Sequence, residues 1–140
     1  MWATIDDIRE RLATEKGRIT IGSEDTDTFT EDEVSKAIDL AHLRLKNKFQ
    51  ISDEVEAEID TTKPVGALLK ECEILSTCLD LLSRLPQNEL VVELEEKLKS
   101  RYDLIISELE VAEIEVLIES LTNPQHSNFK ISESILRDGS

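Results

Sequence analysis

Few segments of this 140-residue chain have the residue spacing of a known metal site. An acidic segment from Asp25 to Phe29 places oxygen-bearing side chains at alternate positions, as the start of an EF-hand calcium loop does. The rest of such a loop is missing, because the position that requires glycine is Thr30 and the twelfth position, normally a bidentate glutamate, is Lys36. The segment is instead typical of the approach to a helix N-terminus, where the helix dipole favours negative charge.

The histidines and cysteines do not form a recognisable zinc or catalytic set. His42 and His126 are separated by most of the chain, so a zinc site that included Cys72 and Cys78 would need ligands from three unrelated segments. The two cysteines lie about 240° apart around a helix, which is too divergent for a disulfide within it. Nothing near them would lower a thiol pKa, so we expect inert core thiols in a reducing compartment. We predict no metal ion and no cofactor.

Paired glutamates are the remaining candidates for acid–base chemistry. Glu95-Glu96 and the Glu113/Glu115 pair lie on a predicted helix, with no glycine-rich loop or pocket signal beside them. Such pairs are typical of solvated helix faces. The sequence therefore predicts no catalytic residue, and we expect a protein that is not an enzyme and that works by contact.

Composition favours a helical fold and argues against direct nucleic-acid binding. Hydrophobic residues make up 39% of the chain and aromatic residues only 4%, so the core must be built from aliphatic side chains, which suit helix-on-helix packing. The formal net charge of −15 would repel a phosphate backbone. No apolar run approaches the roughly 20 residues that a membrane span requires, so we expect a protein that does not enter a membrane.

The most informative helix signal begins at Thr30. Its side chain and that of Glu33 have the spacing of a capping box, in which each satisfies a backbone N–H of the first helical turn. An amphipathic pattern then runs to Phe49, with most apolar residues on one face. Leu40 and Leu43 lie on roughly the opposite side. A helix with two apolar faces can pack into its own domain and also against a partner.

The other elements follow from caps, prolines and spacing. Thr4 begins a short first helix that ends before Gly17, and the segment 18–22 is predicted to be loop because a lone strand has no visible partner. The acidic connection 52–63 has room for one helical turn. A third helix is predicted from Pro64 to about Leu85, and a fourth from Asn88 to about Glu119.

The last predicted helix is longer than the core of so small a domain needs. About thirty residues give a rod of roughly 45 Å, so part of it should project. Its core stripe has near-heptad spacing and comprises Leu94, Leu98, Tyr102, Ile105, Leu109, Ala112 and Val116. Further apolar positions give candidate subunit-interface residues, which together with those of the capped helix are Leu40, Leu43, Ile106, Val111, Ile114 and Ile118.

The fold predicted is therefore all-α: a small bundle of about four helices in residues 1–120, with a long, partly projecting last helix. Residues 121–140 are predicted to form a flexible C-terminal tail, since they hold too little apolar area to fold alone. Either this tail is simply disordered or it orders on a partner. Candidate docking residues in it are Phe129, Ile131, Ile135 and Leu136.

The order of these parts resembles a known family. The segments that carry the resemblance are the start Met1-Trp2-Ala3-Thr4-Ile5-Asp6-Asp7-Ile8, an acidic loop, the capped helix with Thr30-Glu31-Asp32-Glu33-Val34 and Ala37-Ile38-Asp39-Leu40-Ala41, a proline-led apolar helix and a long charged helix. Over residues 1 to 118 this pattern is similar to that of the head-tail connector, or head completion, proteins of tailed bacteriophages. The strong acidity and the longer C-terminal segment depart from the pattern expected of that family.

The resemblance implies a structural subunit that assembles as a ring, commonly twelvefold, beneath the portal protein of a capsid. Such a ring extends the DNA channel and docks a tail or stopper protein, and DNA passes through it without specific binding. The expected location is the head-tail interface of the virion, and the host cytoplasm during assembly. The alternative is a small acidic cytosolic helical adaptor or secretion-type chaperone that acts as a dimer through its projecting helix.

Overall fold

The computed structural model describes the backbone of residues 1–13, 19–24 and 27–122, and the side chains of these ranges except Ala13 and residues 112–122. The described elements are α1 (Ile5–Ala13), β1 (Ile21–Gly22), β2 (Phe29–Thr30), α2 (Glu31–Phe49), α3 (Asp53–Glu58), α4 (Pro64–Leu82) and α5 (Glu89–Thr122). The described part of the chain is thus mostly helical, which confirms the prediction of a small all-α bundle.

The α2 helix begins where the capping box predicted it. The Thr30 hydroxyl accepts a hydrogen bond from the Glu33 backbone N–H at 3.1 Å, and the Glu33 carboxylate accepts one from the Thr30 N–H at 2.9 Å. At the other end Gln50 adopts the left-handed conformation with φ of 53°, and its N–H turns back to the last carbonyls. Both ends of α2 are therefore fixed by local chemistry.

The α4 helix lies at the centre of the bundle, in contact with α1, α2 and α5. Pro64 occupies its first turn, and Gly66 allows a close approach, because a Cβ there would lie 2.0 Å from the Asp60 carbonyl oxygen. The helix ends at Leu82 rather than at the predicted Leu85. The difference has a physical reason: a residue before proline is disfavoured in the α region. Its buried residues are Gly66, Leu69, Cys72, Glu73, Ile74, Leu75, Thr77, Cys78, Leu81 and Leu82.

The prediction that residues 18–22 form only loop was wrong at Ile21–Gly22, which pairs in parallel with Phe29–Thr30. Ile21 and Phe29 are both buried in the core. Paired segments of two residues carry no periodicity that a sequence can reveal. Burial of these two side chains, rather than strand propensity, therefore brings the segments together.

The α5 helix packs antiparallel along α4 through the predicted near-heptad stripe. Leu94, Leu98, Ile105 and Leu109 are buried, and Tyr102 packs partly buried against the core. Beyond Leu109 the helix continues to Thr122, roughly 20 Å further along its axis. It thus runs three residues beyond the predicted end at Glu119.

Candidate assembly surfaces and a buried polar cluster

The outer face of α2 carries two exposed leucines. Leu40 and Leu43 are 40% and 57% exposed, on the side of α2 opposite to Val34, Ile38 and Leu45 in the core. Both were predicted to lie outside the core stripe. Water-exposed leucines one turn apart form a small apolar patch that burial in a contact would stabilise.

A second exposed apolar strip lies on α5. Leu104 and Val111 are 63% and 78% exposed and stand seven residues apart, so they share one face of the helix. Val111 was predicted as an interface candidate, whereas Leu104 was missed. The signal that could have identified Leu104 is its heptad spacing to Val111 and Ile118.

The two apolar patches face different directions. Glu110 of α5 lies 3.9 Å from the Lys48 ammonium group of α2, which marks the side of α5 that faces α2. At 100° per residue, Leu104 and Val111 lie roughly 100–120° around α5 from Glu110. The α5 strip therefore lies to one side of the α5 surface that faces the α2 helix of the same subunit.

The remaining predicted interface and docking residues divide into two groups. Ile106 is partly exposed and also packs against the core, and its place in a subunit interface stays a prediction. The other candidates fall outside the described side chains and stay predictions; they are Ile114, Ile118, Phe129, Ile131, Ile135 and Leu136.

The least expected feature of the structure is a buried polar cluster around Glu73. This carboxylate is fully buried, and its Oε2 accepts hydrogen bonds from the backbone N–H groups of Trp2 and Ala3 at 2.9 and 2.8 Å. Its Oε1 lies 2.6 Å from Nδ1 of His42. The Trp2 ring packs edge-on to the His42 ring at 4.6 Å between centroids. One carboxylate from the central helix thus holds the N-terminal segment of the chain.

The cluster continues outward from His42. Nε2 of His42 lies 2.7 Å from Oε2 of Glu56 on α3, and the other Glu56 oxygen pairs with Lys46 at 2.7 Å. The hydrogen bond from Lys46, helped by His42, holds the pKa of Glu56 below its usual range against the opposing effect of desolvation. This series of alternating acidic and basic side chains therefore links α2, α3, α4 and the N-terminal segment.

The geometry of the cluster indicates a structural role, which is to hold the connected elements together. Each ring nitrogen of His42 makes a short contact with a carboxylate, Glu73 on one side and Glu56 on the other. A neutral imidazole has one N–H and can donate to only one of two ionised carboxylates, so two hydrogen bonds require one proton more than a neutral ring provides. Because both ring nitrogens face carboxylates, neither is directed at a substrate. Sequence reasoning treated His42 as incidental. The available signal was Glu73, the charged residue among the buried positions of α4.

The cysteines are buried free thiols, as predicted. Burial raises the pKa of Cys72 and that of Cys78 to about 12. At neutral pH both are therefore protonated and unreactive.

An open groove of about 890 Å³ lies between α2, α4 and α5. Its rim mixes basic Arg44 and Lys99 with acidic Asp80 and Glu96. Burial raises the pKa of Tyr102, which lines the groove, to about 12, so this residue remains a neutral phenol. The groove has no single sign of charge that would select an ionic ligand.

Comparison with protein-family models, with curated proteins and with solved structures gave no match. Within the described residues, no helix combines the length and apolar character needed to cross a bilayer. Those residues also contain no group of three or more His, Cys, Asp or Glu side chains arranged to hold a metal ion.

Proposed function

We propose that this protein is a structural assembly subunit, and specifically a head-tail connector of a tailed bacteriophage or prophage. In this function the subunit forms a ring beneath the portal protein, extends the DNA channel and docks a tail or stopper protein. The ring is expected to be twelvefold in the virion. The proposal joins the family resemblance of residues 1 to 118 to the surface properties of the folded subunit.

The observation that carries the proposal is the exposure of Leu40 and Leu43 on α2, a helix whose opposite face already fills the core. A subunit that worked alone would gain nothing from this second apolar face. Head-to-tail contacts between different surfaces of neighbouring copies generate closed rings when the rotation between copies closes. An exposed apolar face on a core helix supports such a contact.

The net charge supports the channel role. A formal charge of −15 gives a surface that repels the phosphate backbone, so DNA can pass without being retained. The proposal therefore needs no base contacts and no basic groove.

The direct test is to mix the purified protein with portal rings and examine the product by electron microscopy. The expected result is an added ring of density beneath the portal. The matched variant is Leu43→Asp, which should keep its helical circular dichroism and thermal midpoint but lose the added ring. If the unsubstituted protein fails to associate with portal rings across a range of salt and crowding conditions, the proposed function is wrong.

The second candidate function is a dimeric acidic adaptor or secretion-type chaperone. Leu104 and Val111 favour it, because exposed apolar residues seven apart can form the seam of a two-helix coiled coil. Sedimentation separates the two functions. A stable dimer at every concentration supports the adaptor, whereas a protein that forms rings with its portal partner supports the connector.

A further inference from the structure

The segment of α2 that carries Leu40 and Leu43 is rich in basic residues, in a protein whose formal net charge is −15. Between positions 36 and 48 the helix carries four basic residues and a single acidic one; they are Lys36, Asp39, Arg44, Lys46 and Lys48. Three of the four basic groups already pair within the subunit: Lys36 with Asp32, Lys46 with Asp53 and Glu56, and Lys48 with Glu110. Arg44 has no carboxylate within 4 Å among the residues that the structure describes. Arg44 stands one turn from Leu40 and beside Leu43. The exposed leucines are thus bordered by an available guanidinium group.

The distal half of α5 has the opposite character. From Asp103 to the end of the helix the sequence contains six acidic residues and no lysine or arginine; the acids are Asp103, Glu108, Glu110, Glu113, Glu115 and Glu119. Glu108 is exposed and lies between Leu104 and Val111 on the same face. The α5 face therefore combines two apolar side chains with the acidic Glu108. The α2 face combines two apolar side chains with the basic Arg44.

The two faces complement each other in chemistry, yet they do not cover each other within one subunit, because the apolar side chains of both faces remain exposed. A second copy of the chain is the partner that brings them together. Two copies carrying −15 each repel one another overall. A contact that pairs a locally basic surface with an acidic one reduces this repulsion.

We propose that the distal α5 helix of one copy packs on the outer face of α2 of the next, with Leu104 and Val111 against Leu40 and Leu43, and Glu108 beside Arg44. This contact deepens the proposed function and rests on it, since it supplies the repeated head-to-tail step of the ring. Each copy gives one face and receives the other. The interface is therefore heterologous.

The test is cysteine cross-linking between two separately purified single variants, Leu43→Cys and Val111→Cys. The native cysteines do not interfere, because they are buried and their thiols stay protonated. On mild oxidation of the mixture, the heterodimer should exceed each homodimer several-fold. The matched control replaces Val111→Cys with Glu93→Cys, an exposed position on the same face of α5 but five turns, roughly 27 Å, away. That control should give only background cross-linking.

A charge exchange tests the chemistry of the contact. Adding Arg44→Glu to the Leu43→Cys protein should lower the heterodimer yield several-fold. Adding Glu108→Arg to the Val111→Cys protein should then restore it, because the ion pair is rebuilt with its signs reversed. If both changes lower the yield and the combination does not recover, the proposed alignment is wrong.

The other outcomes are equally decisive. Dominant Leu43→Cys homodimers would show an α2-to-α2 contact, and dominant Val111→Cys homodimers would show an α5-to-α5 contact. Either result overturns the proposal. A heterodimer yield no greater than that of the Glu93→Cys control also overturns it.

Portal binding is measured separately on the unsubstituted protein. Loss of cross-linking with retained portal binding would reject this contact alone, whereas efficient cross-linking without portal binding would reject the connector function alone.

Discussion

The buried cluster around Glu73 and the outer face of α2 contrast in which kind of side chain is buried and which is exposed. The first places a charged group inside the bundle, where water is excluded, and satisfies its oxygens with the N-terminal backbone and His42. The second places two leucines outside, where the residues that the structure describes leave them 40% and 57% exposed. A buried charge without partners would cost several kcal/mol, whereas an exposed leucine costs a lone subunit little.

The difference indicates separate roles for the two regions. The cluster fixes the N-terminal segment and so belongs to the stability of the subunit. The outer face adds nothing to that stability and remains available for a contact. Substitutions in the first region should therefore change unfolding, and substitutions in the second should change assembly.

The largest expected effect is that of Glu73→Ala. The substitution leaves His42 and the Trp2 and Ala3 N–H groups without their acceptor in the core, and it opens a cavity. We expect a loss of about 3–5 kcal/mol in the free energy of unfolding, as for removal of one partner from a buried charged pair. Urea unfolding followed by circular dichroism measures it.

Leu43→Asp is the comparison variant for Glu73→Ala, because it changes an exposed site on the outer face of α2 and not a buried one. Its free energy of unfolding should stay within about 0.5 kcal/mol of that of the unsubstituted protein. Equal destabilisation by the two substitutions would contradict the assignment of separate roles.

Gly66→Ala should have the next largest effect. Its Cβ would lie 2.0 Å from the Asp60 carbonyl oxygen, so backbone rather than a flexible side chain must move. We expect a loss of about 1–3 kcal/mol, visible as a lower thermal midpoint. Ala67→Gly, at an exposed neighbouring position of the same helix, is the control. It should cost only about 1 kcal/mol through helix propensity. An unchanged midpoint for Gly66→Ala would show that the start of α4 can shift freely.

Thr30→Ala removes one half of the capping box of α2. The Glu33 N–H then loses its acceptor, and the free energy of unfolding should fall by about 1 kcal/mol. Thr30→Ser keeps the hydroxyl and should retain most of the stability. A loss equal to that of the alanine variant would show that the methyl group, rather than the cap, matters.

The smallest predicted effect is a dependence of stability on pH through Glu71. Burial tends to raise the pKa of this carboxyl, but the paired hydrogen bonds from Arg11 and the nearby charge of Arg101 outweigh it and lower the pKa below its usual 4.5. A lowered pKa in the folded state means that the pairing stabilises the protein above the unfolded pKa and is lost as pH falls through the folded value.

The unsubstituted protein should therefore lose stability between pH 5 and about 3 more steeply than Glu71→Gln does. Because the site is partly solvated, we expect a contribution of under about 1 kcal/mol. Thermal unfolding across this pH range measures it, with Glu93→Gln, at an exposed site on α5, as the control. Parallel curves for the unsubstituted protein and Glu71→Gln would show that the ion pair does not stabilise the fold.

Much of the helical framework could be predicted because its signals are local. The capping box at Thr30, the proline at position 64 and the near-heptad stripe of α5 each act within a few residues of the chain. The exposure of Leu40 and Leu43 also followed from helical periodicity. The two-residue strands did not, since they depend on packing of side chains distant in sequence. The end of α4 has a local cause in the following proline, but it falls three residues before the predicted Leu85.

The amino-acid sequence by itself determined which segments are helical, where most of them begin and which faces are apolar, because caps and periodicity are properties of neighbouring residues. Only the tertiary structure decided what Glu73 and His42 do, since their partners lie 70 and 31 positions away along the chain. It also decided that the apolar faces of α2 and α5 point in different directions. Hydrogen bonds and directions of this kind exist only once the helices are packed.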